Sequence, residues 1–501
     1  MRFKRAAGVL LHPTSLPGPY GVGDLGEAHA YIDWLADAGV VWWQVLPLNA
    51  PGDAASPYCA RSTFAWDVVL VSPALMQQAS LLEPADLAAL APLREDAVDY
   101  PRATALKLRL LRRAFERVRG GRVPAAAQAF DEFREAEAPW LHDWALFAAL
   151  REAHDGRAWL DWPEPLALRE PKALAGWAAD HADEVLFQEF AQFVFRSQWA
   201  GLREHAAHRG VRILGDLPMF VALNSAEVWA HRELFRLDAH GRPTHVAGVP
   251  PDYFNADGQL WGNPLYDWER LAQHSYSWWI ERVRRALLTV DALRLDHFRG
   301  FASFWEVPAD AATARTGRWV QGPGRALFDA IRGALGDLPF VAEDLGDIDP
   351  TVLDLRDDLG RPGMAVLQFA FGPHDRSTFI PYRHTKHLAV YTGTHDNNTS
   401  RGWFEQDARD DERDYMRRYL GTDGHEIHWD MVRCAMASVA DLAIVPHQDL
   451  AGLGSEGRMN RPGTVQGNWG FRLSRAMLDV GIRNRLSEIV WLFGRQPQQN
   501  P

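Results

Sequence analysis

Eight short apolar runs bounded by turn residues constrain this chain more than any other feature: Gly8–Leu11, Val40–Leu46, Val211–Leu214, Asp291–Leu295, Phe340–Ala342, Met364–Phe369, His387–Tyr391 and Leu442–Val445. Short runs that are apolar on both faces are what strands of a buried parallel sheet look like. Several are separated by segments of helical period. In the clearest, Asp24–Ala38, Asp24 and Glu27 form a capping-box pattern, Ala28, Tyr31, Ile32 and Leu35 share one apolar face, and Gly39 follows as a stop. Leu186–His208 and Asp267–Thr289 carry the same period, and the latter leads directly into the fourth run. Eight strands alternating with helices predict an α/β fold, a (β/α)₈ TIM barrel.

The spacing is uneven. Residues 49–210 and 222–290 are each far longer than one crossover needs. The first stretch is rich in Ala, Leu, Arg and Glu and reads as a mostly helical insert after strand 2. The second contains Pro250, Pro251, Gly258, Gly262 and Pro264 and reads as an irregular loop subdomain after strand 3. The whole chain, 1–501, is therefore read as one barrel domain with inserted subdomains at about 60–205 and 222–288, and with no extra N-terminal domain.

Composition removes several function classes. Lys plus Arg is 53 against 65 Asp plus Glu, a formal charge of −12, where a nucleic-acid partner would call for a basic face. Two cysteines, Cys59 and Cys434, are too few for a disulfide framework and fit a reducing compartment. The apolar stretch Ala6–Leu11 is too short for a signal-peptide core, and no apolar run approaches a membrane span. The expectation is a cytoplasmic protein, a monomer without nucleic-acid or membrane partners. Its 21 Trp, 24 Phe and 11 Tyr serve either core packing or stacking against sugar rings, and composition does not separate the two.

Barrel enzymes place their functional groups where strands end at the C-terminal face. Four predicted strands end in acids: Asp216 after the third, Asp296 after the fourth, Glu343-Asp344 after the fifth, and His395-Asp396 beyond the seventh. Taken singly, each fits a helix cap or loop carboxylate, but four around one rim repel one another unless a task keeps them together. A rim of acids without a surplus of His or Cys suits glycoside chemistry better than a transition-metal site. Arg294 and Asp296 are two apart on a strand and point to one side, with Leu293 and Leu295 on the other. A guanidinium beside Asp296 favours its ionised, nucleophilic form; standing alone, the pair also fits a structural ion pair at the barrel mouth. Retaining glycosyl transfer needs two carboxyls about 5–5.5 Å apart, and Asp296 and Glu343 end neighbouring strands. The charge of Asp296 should keep Glu343 protonated as the acid, and its loss on esterification should release Glu343 to act as base.

Other motifs carry less. Gly452-Leu453-Gly454-Ser455-Glu456-Gly457 matches a dinucleotide fingerprint, but too little chain follows to complete that unit. His384 and His387 lack an evident third metal ligand, and the charge-rich stretch Asp407–Arg418 reads as a solvated helix face.

Leu10-Leu11-His12-Pro13-Thr14-Ser15-Leu16-Pro17, Ser56-Pro57-Tyr58, Gly215-Asp216-Leu217-Pro218, Leu295-Asp296-His297-Phe298-Arg299-Gly300 and Glu343-Asp344-Leu345-Gly346 resemble the amylomaltases, 4-α-glucanotransferases of glycoside hydrolase family 77. Gly393-Thr394-His395-Asp396-Asn397-Asn398 and Arg461-Pro462-Gly463-Thr464 extend the resemblance, which runs in order from about residue 6 to 495. It implies a retaining α-glucan transferase of the α-amylase clan that needs no metal or organic cofactor and acts on malto-oligosaccharides, amylose and glycogen-type glucans. It further implies Asp296 as nucleophile, Glu343 as general acid/base and Asp396 as transition-state stabiliser, with Arg294 orienting the nucleophile. Ser56, Tyr58, Asp216 and His395 would serve the donor glucose, and Tyr253, Phe254 and Trp261 a lid and acceptor contacts, with Phe369 near the acceptor side. An aromatic flap closing over the glycosyl-enzyme would admit a sugar and exclude water. Arg361 and Ala365 depart from the family pattern of an aromatic and a basic residue and, preceding Phe369, bear on acceptor preference. Two other readings remain at this point: an α-amylase-type hydrolase with the same acids, and a silent glycan-binding barrel, which would not need to keep Asp296, Glu343 and Asp396 together.

Overall fold

The computed structural model describes residues 3–52, 55–88, 90–251, 256–346, 348–372, 377–464 and 466–497. Its strands are β1 Ala6–Leu10, β2 Trp42–Gln44, β3 Arg212–Leu217, β4 His245–Val249, β5 Gln259–Pro264, β6 Ala292–Leu295, β7 Ser303–Pro308, β8 Arg318–Gln321, β9 Phe340–Ala342, β10 Gly363–Val366, β11 Leu388–Tyr391 and β12 Leu442–Pro446. Eight of them, in the order β10-β11-β12-β1-β2-β3-β6-β9, form one parallel sheet, and they coincide with the eight apolar runs. The remaining seam, between β9 and β10, is bridged by the Ala342 N–H donating to Pro362 O at 2.9 Å. The Asp344 carboxylate reinforces it by accepting the Met364 N–H at 2.7 Å. Gly363 permits that approach, because a Cβ there would stand 2.3 Å from an Asp344 oxygen.

Side-chain alternation along the strands makes two cores. Leu10, Trp42, Leu214, Ala292, Val341, Met364, Tyr391 and Ile444 fill the barrel interior. Val9, Trp43, Ile213, Leu293, Leu295 and Val445 point outward against the helices. Most tryptophans belong to these cores; among the described residues only Trp261, Trp319 and Trp491 are more than a third exposed. Core packing accounts for most of the aromatic surplus.

The first helix runs Leu25–Asp37, with the Asp24 carboxylate accepting the Gly26 N–H at 2.9 Å. The capping box is half made: the other Asp24 oxygen pairs with buried Lys107 at 3.0 Å, and Glu27 turns to Arg475. Lys107 lies on helix Tyr100–Arg119 and thereby ties the helical insert, with its long helices Pro124–Ala153 and Ala182–His208, to the barrel. The helix expected over Asp267–Thr289 is broken into Trp268–Gln273 and Ser277–Thr289. The Tyr276 N–H returns to Leu271 O at 2.7 Å, a Schellman-type closure made without glycine by Ser275 and Tyr276 at φ 53° and 54°. The loop subdomain after β3 contributes β4 and β5 to a four-stranded antiparallel sheet, β5-β4-β7-β8, whose other half follows β6. The buried Glu306 carboxylate, clamped between Arg236 and Arg318, binds that sheet to the preceding loop. No helix among the described residues is long and apolar enough to cross a membrane.

Candidate active site

Three parallel strands set the centre of the site by register alone. Asp216 on β3 pairs laterally with Arg294 on β6, and Leu295 with Ala342 on β9. The ladder continues past the strand ends: the Asp296 N–H donates to Leu217 O and the Glu343 N–H to Leu295 O, both at 3.1 Å. Asp296 and Glu343 are thus the next lateral pair after Leu295 and Ala342. Neighbouring strands lie about 4.8 Å apart, a backbone spacing that suits the carboxyl separation of a retaining glycosidase.

Arg294 is buried, and its Nη1 bridges Asp216 Oδ2 at 2.7 Å and Asp296 Oδ1 at 2.9 Å. The Tyr58 hydroxyl donates to the same Asp216 oxygen at 2.8 Å. The Asp216 side chain is buried and holds Tyr58 and Arg294 through Oδ2, while its Oδ1 accepts no hydrogen bond from the described residues. Burial pushes its pKa up, against the opposing charge of Arg294. Ser56 Oγ accepts the Tyr58 N–H at 3.3 Å, a local turn that sets the Tyr58 backbone.

The Glu343 carboxylate is held by two backbone donors, His297 N–H at 2.8 Å to Oε2 and Leu345 N–H at 3.1 Å to Oε1. His297 adopts φ 51°, a left-handed turn that aims its N–H at Glu343 directly after Asp296. Burial raises the Glu343 pKa to about 7; Arg294 opposes it more strongly than the Asp296 charge adds to it, and the two N–H donors also oppose. Desolvation thus outweighs the neighbouring charge that the sequence argument put first. Asp344, beside Glu343, is structural, bound to Met364 and Arg356.

Asp396 stands beyond β11, its side chain 44% exposed, with His395 Nε2 3.3 Å from its Oδ1. Asn460 Nδ2 donates to the same oxygen at 2.7 Å, and Arg458 holds the Asp396 carbonyl at 2.9 Å. The His395 ring stacks on Tyr58, centroids 4.9 Å apart at 12°, and Trp469 leans on both. Burial lowers the pKa of His395 and takes that of His12, beside it, to about 3, so both imidazoles are neutral at pH 7. An open space of about 370 Å³ beside them is lined by His12, Thr394, His395, Asn398, Gln448 and Arg458.

Across the cleft Trp261 meets the His297 ring edge-on, centroids 4.8 Å apart, with Phe220 behind it. Tyr253 and Phe254 lie outside the described residues. Phe369, at the C-terminal end of β10, is 49% exposed and packs on Phe379. Arg361 is a correction to the acceptor-side expectation. It precedes β10 at the opposite end of the barrel, buried, bound to Asp337 and lying over the Phe340 ring, while Ala365 packs into the outer core.

Asn460, Arg458, Trp469, His12 and Phe220 were not singled out from the sequence as site residues. A cue was present for Asn460, which directly precedes Arg461-Pro462-Gly463-Thr464. The fingerprint-like glycines at 452–457 form a turn in which Ser455 Oγ accepts from Asn398 at 2.8 Å. No group of three or more His, Cys, Asp or Glu residues among those described is arranged to hold a metal ion.

The family model described as 4-alpha-glucanotransferase matches residues 11–478. The 4-alpha-glucanotransferase of Synechocystis sp. is 46% identical over 498 residues, covering 98% of this chain and 98% of its own. That of Thermus thermophilus is 47% identical over 482 residues, 94% of this chain and 95% of its own. The solved structure of an amylomaltase from Streptococcus agalactiae in complex with acarbose matches with TM-score 0.95 at 36% identity, covering 98% of this chain and 100% of that one.

Proposed function

The chain belongs to glycoside hydrolase family 77 and is a 4-α-glucanotransferase acting on α-glucans, and from that premise we propose the residues that carry its two half-reactions. A carboxylate oxygen of Asp296 attacks the anomeric carbon of the donor while Glu343 protonates the departing glycosidic oxygen, leaving a glycosyl ester on Asp296. Glu343, now ionised, takes the proton from the 4-hydroxyl of an acceptor glucan, which attacks the same carbon and frees Asp296. The observation that carries this assignment is the placement of Asp296 and Glu343 side by side just beyond β6 and β9, where the Glu343 N–H bonds Leu295 O, and burial of Glu343 favours its protonated form.

Arg294 orients Asp296, and Asp216 acts through Arg294 and Tyr58 as a positioning residue. Asp396, fixed by Asn460 and His395, stabilises the flattened, positively charged sugar of the transition state. Tyr58 and His395 present a stacked wall to the donor glucose, with Ser56 setting the Tyr58 turn. Trp261 and Phe369 face the acceptor, and Tyr253 and Phe254 form the lid. Malto-oligosaccharides, amylose and glycogen-type chains are the substrates, and the protein works as a cytoplasmic monomer, in keeping with its having only two cysteines.

Incubation with maltotriose tests the reading. A ladder of longer and shorter products at constant reducing ends is expected, and a steady rise in reducing ends without longer products would refute it. Glu343→Gln given α-maltosyl fluoride should accumulate a glycosyl ester that peptide mapping places on Asp296; an ester on another residue would overturn the assignment.

A further inference from the structure

One group of aromatic side chains extends from the acceptor side of the site along the edge of the outer core, against which Phe379 and Tyr415 pack. It begins at Phe369 and follows the connection from β10 to β11, which contains short 3₁₀ turns and no α-helix among its described residues. Phe369 and Phe379 have ring centroids 6.1 Å apart. Tyr382, 67% exposed, is the most exposed large apolar or aromatic side chain among the described residues. Tyr419, 37% exposed, bonds to the Tyr382 backbone through its hydroxyl and stacks with Tyr415 at 6.2 Å.

Hydrogen bonds tie the described part of the strip to the barrel. Ser377 Oγ donates to Phe369 O at 2.9 Å and accepts the Phe379 N–H at 3.2 Å. Buried His384 is bonded through one ring nitrogen to Phe379 O and through the other to Ser438 Oγ, both at 2.7 Å. Rings held in this way bind with little ordering cost, and the Arg383 guanidinium lies 5.7 Å from the Tyr382 ring centroid.

We propose that Phe379, Tyr382 and Tyr419, continuous with Phe369, form a second α-glucan-binding surface, which retains polymeric chains outside the cleft. It rests on the acceptor-side placement of Phe369 given above. The occupant is argued from continuity: the strip starts at the strand end that shares the barrel's catalytic face and leads away from it, and aromatic rings spaced along a surface suit successive glucose faces. On this reading a chain that leaves the cleft past Phe369 reaches Tyr382, and maltotriose does not.

The test compares Tyr382→Ser with Tyr382→Phe. Tyr382→Ser should raise KM for amylose about three- to tenfold, the equivalent of one lost stacking contact, and leave kcat/KM for maltotriose unchanged. Tyr382→Phe should restore the amylose value. In native gels containing amylopectin the wild type should be retarded and Tyr382→Ser less so. Equal effects on amylose and maltotriose, or none on either, would overturn the proposal. So would a concentration-dependent dimer that Tyr382→Ser dissociates, which would make the strip a contact between two copies. Absence of any maltotriose ladder in the wild type would instead fault the transferase reading.

Discussion

Glu343→Gln separates the electrostatic cost of the site from its packing. Burial lifts the Glu343 pKa from the ordinary 4.5 to about 7. At about 1.4 kcal/mol per unit, that shift amounts to about 3 kcal/mol. Because the folded value is raised, the native state holds a proton that the unfolded chain releases between pH 4.5 and 7. Native stability is therefore favoured on the acid side and is lost progressively as pH rises through that window. The amide cannot ionise and escapes this loss. It has a separate cost, since one of the two backbone N–H donors, His297 or Leu345, must face an NH₂ group, a penalty of about 1–3 kcal/mol that does not vary with pH. Urea unfolding of both proteins at pH 5 and pH 8 cancels the constant part. The stability of Glu343→Gln relative to wild type should improve by about 2–3 kcal/mol between the two pH values. In the wild type, kcat/KM on maltotriose should fall on the alkaline side with a midpoint near 7. A relative stability that does not change with pH, together with a flat alkaline profile to pH 9, would refute the reasoning.

Asn460→Ala removes the amide that fixes Asp396. Loss of a hydrogen bond to a charged group should cost about 10- to 100-fold in kcat with KM little changed, as steady-state kinetics on maltotriose would show. Arg294→Ala leaves Asp216 buried and unpaired with its cation and should lower unfolding stability by about 3–5 kcal/mol, whereas Arg294→Met combined with Asp216→Leu should recover most of it while remaining inactive. Dialysis against a chelator should leave the maltotriose rate unchanged, because in the proposed mechanism carboxylates carry both the covalent and the proton-transfer steps; a loss restored by a divalent cation would contradict this.

The barrel was legible because its eight strands are buried on both faces, which makes continuous apolar runs, and because the acids that follow them share one end by topology. The two-residue spacing of Arg294 and Asp296 was enough to put both on one side. What escaped depends on contacts between distant segments. Asn460 meets Asp396, and Trp469 meets Tyr58, through loops whose folding no local period reports. The antiparallel sheet joins β4 and β5 to β7 and β8 across the intervening barrel strand β6, so neither half announces the other. The break at Ser275 and Tyr276 was hidden because the closure uses no glycine. Arg361 is near Phe369 in sequence but not in space, because β10 lies between them and carries one to each end of the barrel.

Four acids on one rim coexist because their charges are not all present at once. Arg294 lies between Asp216 and Asp296, and Glu343 keeps its proton up to about pH 7. In the proposed mechanism the same arrangement gives Glu343 two successive roles. In the free enzyme the Asp296 charge raises the Glu343 pKa and Arg294 lowers it. Once Asp296 is esterified the raising charge is gone, while Arg294 remains with its cation now less fully matched. Both changes push Glu343 toward ionisation, the form that accepts a proton from the incoming 4-hydroxyl. Desolvation is unaffected, so the shift is downward from about 7 without a return to the ordinary value. The pH dependence of the second half-reaction measures this directly. Wild type loaded with a slow fluorinated donor and chased with maltose should transfer its glycosyl group with an acid-side midpoint below the alkaline midpoint of kcat/KM in the free enzyme. Coincident midpoints would mean that the ester leaves Glu343 unmoved, and that burial alone sets its proton affinity throughout the cycle.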